Sequence, residues 1–224
     1  MLFESPEEVR RPNWDDKVLS FSGDEKQILK WILTLHNNGQ GVDVDPCYSI
    51  GRFWEGLPKP KQKFDLYPHL DEVRQASANN LPIDSESVSS VMFDPPFIFC
   101  SSAKTPGRIR ERFTDFSSFE ELKEMYASSM REFYRILKVD GILIFKCQDL
   151  MVSSTQYMTH VFVMNEAQKL GLYILDLFIL TNPHVMMSST WINGQNHARK
   201  AHSYYIVFKK HHNPKMLERT KVSS

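Results

Sequence analysis

Val91-Met92-Phe93-Asp94-Pro95-Pro96-Phe97 decides how this chain is read. Three apolar residues of strand type run into a carboxylate, two consecutive prolines and an aromatic ring. Each proline fixes its own φ and removes a backbone donor, and the second pushes the first out of the helical region, so the strand ends in a stiff, extended turn. Asp94 is then expected at the carboxyl end of a buried strand, where open α/β sheets place their ligands, with Phe97 beside it as a flat apolar face. Together with an exposed carbonyl at Pro95, these groups suit the grip of a planar group that carries an amino substituent. An aromatic amine is a poor nucleophile because its lone pair is delocalised into the ring. Two acceptors pulling on its hydrogens favour the pyramidal nitrogen that can attack, while the ring stacks on the phenyl face. A strand stop with a core Phe and a capping Asp is the plainer reading of the same letters.

On the N-terminal side, Asn79-Asn80-Leu81-Pro82-Ile83-Asp84 forms a loop before this strand, with amides that suit either an adenine edge or Asx turns. Lys63-Phe64-Asp65-Leu66-Tyr67 is a short strand with an acid near its end, and Val42-Asp43-Val44-Asp45-Pro46 another. The latter runs into Cys47-Tyr48-Ser49-Ile50-Gly51-Arg52-Phe53-Trp54, a small-residue turn entering a helix, which lets the chain come close to a bound cofactor or simply joins strand to helix. Asp45 and Asp65 stand about 20 residues apart, the interval at which acids after a second strand bind ribose hydroxyls. Ser22-Gly23-Asp24-Glu25 opens the first helix, with Ser22 as cap and Glu25 completing a capping box. Its apolar face is Ile28, Leu29, Ile32, Leu33 and Leu35, and Asn37-Asn38-Gly39 stops it. Residues 1–22 read as an arm packed through Trp14 and Phe21.

On the C-terminal side, Ile98 to Phe116 carries Lys104, Arg108, Arg110 and Arg112, a cationic loop suited to phosphate contacts or closure, or to plain solvation. Phe119, Leu122, Met125, Tyr126, Met130, Phe133 and Leu137 recur at helical spacing between Ser118 and Lys138. Asp140-Gly141 is read as a turn into the strand Ile142 to Cys147, whose continuous apolar run suits a parallel strand covered on both faces. Thr159 to Leu170, ended by Gly171, is the next helix, Tyr173 to Leu180 a strand, and Tyr204 to Phe208 the last strand. Alternation of strand and helix predicts an α/β fold with a mostly parallel sheet and helices on both faces. The last strand follows without a crossover helix and is expected to insert antiparallel.

With 224 residues and 42% hydrophobic content, the chain can bury one full core. The boundaries expected are an arm at 1–22, one domain at 23–210 and a polar tail at 211–224. Basic and acidic residues balance at 27 each, so no polyanion footprint exists in composition and any nucleic-acid contact rests on local patches. Cys47, Cys100 and Cys147 lack metal-ligand spacing, so no metal is expected and the thiols suit a reducing compartment. The first residues form no leader, and no run approaches the roughly 18 apolar residues that span a bilayer, which predicts a soluble, cytoplasmic protein without a membrane partner.

Taken together, the segments from about Val42 to Phe208 resemble the S-adenosylmethionine-dependent amino-methyltransferases of DNA, the adenine-N6 and cytosine-N4 enzymes. The stretch Asp45 to Phe53 is similar to that family's cofactor loop, which would make Asp45, Cys47, Ser49 and Gly51 cofactor contacts. Asp65 is similar to its ribose-binding acid, Asn80-Leu81-Pro82 to the segment beside the cofactor adenine, and Asp94-Pro95-Pro96-Phe97 to its catalytic tetrad. The segments Lys146-Cys147-Gln148-Asp149 and Gln195 to Tyr205 resemble those of small phage and prokaryotic DNA methylase-like proteins. Ser49 stands where the family's loop has its first glycine, and little chain remains for a large target-recognition domain.

The resemblance implies a single Rossmann-like class I methyltransferase domain. It further implies methyl transfer from S-adenosyl-L-methionine to an exocyclic amino nitrogen, adenine N6 in DNA, because Asp opens the tetrad. Asp45 and Asp65 would hold the methionine and ribose parts of the cofactor, and Asn80 its adenine edge. Lys104, Arg108, Arg110, Arg112, Arg199 and Lys200 would meet the nucleic-acid backbone, with a protein partner supplying target recognition if the chain does not. RNA or a glutamine amide as acceptor, and a catalytically silent binding subunit, are the alternatives. A nicotinamide-dependent reductase would also place an acid after strand two, but the Gly-x-Gly-x-x-Gly spacing is missing.

Overall fold

The computed structural model describes residues 17–97, 116, 118–152, 155–182, 198 and 200–211. In chain order its elements are β1 (Phe21–Ser22), α1 (Glu25–His36), β2 (Val44–Asp45), a 3-10 turn (Arg52–Trp54), β3 (Gln62–Asp65), β4 (Arg74–Gln75), β5 (Val88–Phe93), α2 (Phe119–Ile136), β6 (Leu137–Cys147), β7 (Leu150–Val152), β8 (Thr155–Tyr157), α3 (Thr159–Leu170), β9 (Leu172–Thr181) and β10 (His202–Lys210). Eight strands form one sheet in the order β1-β9-β10-β6-β5-β2-β3-β4, and β7 and β8 pair as a separate hairpin.

Alternation along the central strands explains the layers. Val91 and Phe93, Leu143 and Phe145, and Ile206 and Phe208 pack on one face beneath α2 and α3, against Leu122, Tyr126, Met130, Phe133, Val163 and Ala167. Met92, Ile142 and Ile144, and Tyr205 and Val207 point to the other face, against Ile28, Leu29, Ile32 and Leu33 of α1 and Trp54. Each fully buried side chain of this kind contributes about 1.5–3 kcal/mol, and a one-residue slip would exchange the two faces, so this pattern holds the register.

The pairs β1/β9, β2/β3, β2/β5, β3/β4 and β5/β6 are parallel. Strand β10 enters antiparallel between β6 and β9, as its lack of a crossover helix predicts. Both neighbours of β2 run parallel to it, with β3 following on one side and β5 on the other. The strand order therefore reverses at β2, and the crevice beyond its carboxyl end is the ligand position of an open α/β sheet.

Several local expectations are corrected. Helix α1 is capped by Asp24, whose side chain accepts from the amides of Lys26 and Gln27, rather than by Ser22. Ser22 is tied into β1 opposite Leu180, two residues too early to cap, and its hydroxyl takes the Asp24 amide instead. Phe21 is 56% exposed and joins the domain through backbone pairing with Ile179, not by burial of its ring, while Trp14 lies outside the described residues. Leu35 is also exposed. Asp140-Gly141 lies within β6 as an irregularity of the ladder with β5, with Asp140 at φ +65°, so the expected turn is a kink inside a longer strand. Helix α3 ends at Gly171 with φ +92°, as read from the sequence, and Ser118 caps α2. Among the described residues no helix is long and apolar enough to cross a membrane.

Candidate active site

Strands β2, β3 and β5 end side by side at Asp45, Asp65 and Phe93, so the loops that follow each of them converge. Between these loops lies a cleft of about 170 Å³. Pro46, Cys47 and Ser49 line it from the first loop, Asp65 and Tyr67 from the second, and Asp94 and Pro96 from the third. The structure thus brings together Cys47, Ser49 and Asp65, three of the residues expected at the cofactor, with half of the Pro-Pro corner.

Asp65 organises the first two loops. Its Oδ2 accepts the Ser49 amide at 2.8 Å and its Oδ1 accepts the Tyr67 amide at 2.9 Å. Ser49 holds φ +52° and Gly51 φ +74°, so the loop turns twice through the left-handed region. At Gly51 a Cβ would meet the Tyr48 hydroxyl at 2.6 Å, so this position has no room for a side chain.

Asp45 stands behind this surface. Its Oδ1 accepts the Cys47 amide at 2.8 Å and its Oδ2 the Trp54 indole N–H at 2.6 Å. It does not line the cleft and is 3% exposed. Burial first, and then the negative charges of Asp94 and Asp65, push its carboxyl up to about 7 against the pull of those two hydrogen bonds. Burial, together with Asp45, Asp65 and Asp94, also holds the Cys47 thiol well above its usual value, so it stays protonated.

Asp94 opens to the cleft with 29% of its side chain exposed and faces a cation on its other side. Lys146, at the end of β6, donates to Asp94 Oδ2 at 3.2 Å and to Glu25 Oε1 at 2.7 Å, and the Tyr205 hydroxyl donates to the same Glu25 oxygen. Burial pushes the Asp94 carboxyl up, Lys146 opposes that, and Glu25 adds to it. Burial also works against the charges on Glu25 and Lys146, yet their pairing prevails, holding Glu25 below its usual range and Lys146 above it. Beneath, Phe93 meets Tyr126, Phe133 and Phe145 edge to face, which makes the floor of the corner rigid. The Tyr126 hydroxyl is buried there with no hydrogen-bond partner among the described residues, within electrostatic range of Asp94 and Cys47.

Pro95 is buried, and Phe97 is half-buried beside the cleft rather than among its lining residues. Asn80 and Leu81 stand away from the cleft, where Ser77 and Ala78 line the wall instead. Asn80 is exposed, and its amide bonds the Ser77 carbonyl. Leu81 is buried, its amide held at 2.7 Å by Glu132, which Arg135 grips in turn. Lys200 is half-buried, and its carbonyl accepts from Gln148. Lys104, Arg108, Arg110, Arg112 and Arg199 lie outside the described residues. Among the described residues no cluster of three metal-ligating side chains occurs. Glu25, Lys146 and Tyr205 carry no site role that the sequence alone suggests. The one local signal is a lysine where the row Ile142, Ile144 calls for a third apolar residue.

Comparisons with known proteins follow the same line. The chain matches the family model described as DNA methylase, the N6 and N4 methyltransferases, over residues 42–223. No curated protein matches. A candidate DNA modification methylase of Thermus thermophilus, solved with S-adenosyl-L-methionine, aligns at 19% identity and TM-score 0.43 over 62% of this chain and 54% of that one. The cytosine-N4-specific PvuII DNA methyltransferase aligns at 19% identity and TM-score 0.46 over 61% and 48%. This chain therefore spans about half the length of those two structures. A Burkholderia thailandensis 1,6-didemethyltoxoflavin-N1-methyltransferase aligns at 12% identity and TM-score 0.50 over 84% and 79%, a likeness of fold. The sheet is that of a Rossmann-like methyltransferase domain, and with the family model matching most of its length, the chain belongs to the DNA methylase family of N6 and N4 amino-methyltransferases.

Proposed function

We propose that this protein transfers a methyl group from S-adenosyl-L-methionine to an exocyclic amino nitrogen of a nucleobase, adenine N6 in DNA. The observation that carries the reading is the shared cleft: Asp94 and Pro96 of the Pro-Pro corner and the Asp65-tied loop open onto one space at the carboxyl ends of β2, β3 and β5. The residues present suit that cofactor. Each Asp65 oxygen spends one lone pair on a backbone amide and keeps another for a ribose hydroxyl. Asp65 and Asp94 place negative charge at this end of the sheet, which favours a cationic ligand. The Tyr126 hydroxyl under the floor has bonding capacity left over. Bound there, the cofactor supplies a methyl group on a sulfonium whose C–S bond breaks with its electron pair left on sulfur.

The chain's own residues act on the acceptor. Lys146 donates to Asp94 Oδ2, and Oδ1, to which no described residue donates, is the oxygen assigned to accept a hydrogen of the amine. The Pro95 carbonyl accepts the second hydrogen, and Phe97 stacks on a base swung out of the helix. With both hydrogens drawn aside, the nitrogen lone pair leaves the ring system and points at the methyl carbon, and the proton shed once the N–C bond has formed leaves by way of Asp94 to solvent. Asp45 keeps the cofactor loop in shape through Cys47 and Trp54 rather than through direct contact. Lys104, Arg108, Arg110, Arg112, Arg199 and Lys200 are assigned to the phosphate backbone. They supply locally the charge that overall composition lacks.

The test is product analysis. Protein incubated with isotopically labelled S-adenosyl-L-methionine and, separately, DNA, RNA or unfolded protein is digested, and the methylated product is identified by mass spectrometry. N6-methyladenine from DNA is expected. N4-methylcytosine, methylated RNA or methylglutamine would replace the acceptor, and no product with any acceptor would overturn the enzyme reading. Asp94→Ala is expected to abolish transfer and to leave cofactor affinity within about three-fold, since its carboxylate serves the amine.

A further inference from the structure

Lys146 is the least expected residue at this site. Strand β6 places it on the α1-facing row after Ile142 and Ile144, with 11% of its side chain exposed. An apolar residue would complete that row at less cost, because a buried cation needs partners and a paired buried charge seldom outdoes good packing. The chain instead surrounds it from four elements. Asp94 follows β5, Glu25 stands in the first turn of α1, Tyr205 is its register partner in β10, and the Phe53 ring centroid lies 5.4 Å from its Nζ. Register explains the convergence. Phe93 pairs with Phe145 and Tyr205 with Lys146, so the side chains at 94, 146 and 205 fall next to one another on one face.

We propose that Lys146 is a positioning residue for methyl transfer: its ammonium pins Asp94 Oδ2 and so orients the carboxylate with Oδ1 toward the cleft. The catalytic meaning of this inference rests on the methyltransferase reading above. Among the described residues, the groups facing Asp94 are Lys146 from β6, Glu25 from α1, Tyr205 from β10, Asp45 and Cys47 from the end of β2 and the loop after it, and Tyr126 from α2. Of these, Lys146 alone is a cation. Glu25 competes with Asp94 for it, so Glu25 sets how much of that charge Asp94 feels.

Two substitutions should therefore move Asp94 in opposite directions. Lys146→Met leaves Asp94 facing Glu25 with no cation, and the pH at which Asp94 titrates should rise by about 1–3 units. Glu25→Gln removes a negative neighbour and leaves Lys146 to Asp94, and that pH should fall. The first readout needs neither cofactor nor activity. Side-chain carboxyl carbons of ¹³C-aspartate-labelled protein are titrated by NMR, with the Asp94 signal identified by its loss in Asp94→Asn. The second is the acid limb of the pH–rate profile, which should shift the same way in each variant. A general packing role for Lys146 would lower melting temperature without moving either. Should Lys146→Met fail to fold, the near-isosteric Glu25→Gln decides alone. A wild type that methylates its acceptor while Asp94 titrates unmoved in the folded variants overturns the positioning role only. A wild type that methylates nothing overturns the role together with the methyltransferase reading.

Discussion

Asp45→Asn should flatten a pH dependence that the wild type carries in its stability. The carboxyl is 3% exposed, and burial lifts it from the usual value near 3.8 to about 7, with Asp94 and Asp65 adding to the rise. The folded chain thus holds this proton more tightly than the unfolded chain does. The stabilisation is complete below about pH 4 and is lost as pH rises through 7, at a slope approaching 1.4 kcal/mol per pH unit between the two values. Between pH 5 and pH 8 the loss from this one group comes to about 2.5 kcal/mol. Asparagine cannot ionise, so it removes that slope. It also offers one acceptor where the aspartate offers two, leaving either the Trp54 indole or the Cys47 amide without a partner, at about 1–3 kcal/mol across the range. The stability difference between variant and wild type should accordingly shift by about 2.5 kcal/mol in the variant's favour from pH 5 to pH 8. Urea unfolding followed by tryptophan fluorescence at pH 5, 6, 7 and 8 measures both curves. Parallel curves, with a gap constant to within about 0.5 kcal/mol, would refute the argument that Asp45 is held protonated by burial.

Two further substitutions test the loops of the cleft. Asp65→Ala releases the Ser49 and Tyr67 amides together and removes the carboxylate assigned to the ribose, so S-adenosyl-L-methionine should bind about 10- to 100-fold more weakly in a calorimetric titration. Unchanged affinity would remove Asp65 from the cofactor site. Gly51→Ala forces a side chain to φ +74° and against the Tyr48 ring. It should cost about 1–2 kcal/mol for the backbone and about 1–3 kcal/mol for the overlap, read by urea unfolding. Introducing it into Tyr48→Ala should return the second part and not the first.

How much of this was legible depends on what kind of information each feature needs. Helix α3 and its stop at Gly171, and the antiparallel entry of β10, follow from local letters and from the absence of a crossover, so they could be read directly. The cap of α1 could not, because Ser22 and Asp24 both suit that role and the choice depends on β1 pairing with a strand more than 150 residues away. The hairpin of β7 and β8 carries no glycine, asparagine or proline to mark its turn. At the site, position along a strand was readable and side-chain direction was not. Asp45, Asp65 and Asp94 all end or follow strands of one sheet. Asp65 and Asp94 face the cleft, while Asp45 turns to an indole nine residues on.

Lys146 shows where that boundary falls. Its partners lie 52 and 121 residues away in sequence, and no spacing rule joins them. One added fact suffices, the register of β5 against β6. With Phe93 opposite Phe145 and both buried beneath α2, the period-two alternation sends Asp94 and Lys146 to the opposite face as cross-strand neighbours, under the first turn of α1 where Glu25 stands. A buried lysine at that point would be an uncompensated charge without the carboxylates of Glu25 and Asp94 beside it, and Asp94 would drift toward its neutral form without the lysine. Each makes the other tolerable. The Asp94 oxygen left for the cleft is the product of that mutual dependence, and it is the group to which the proposed amine activation is assigned.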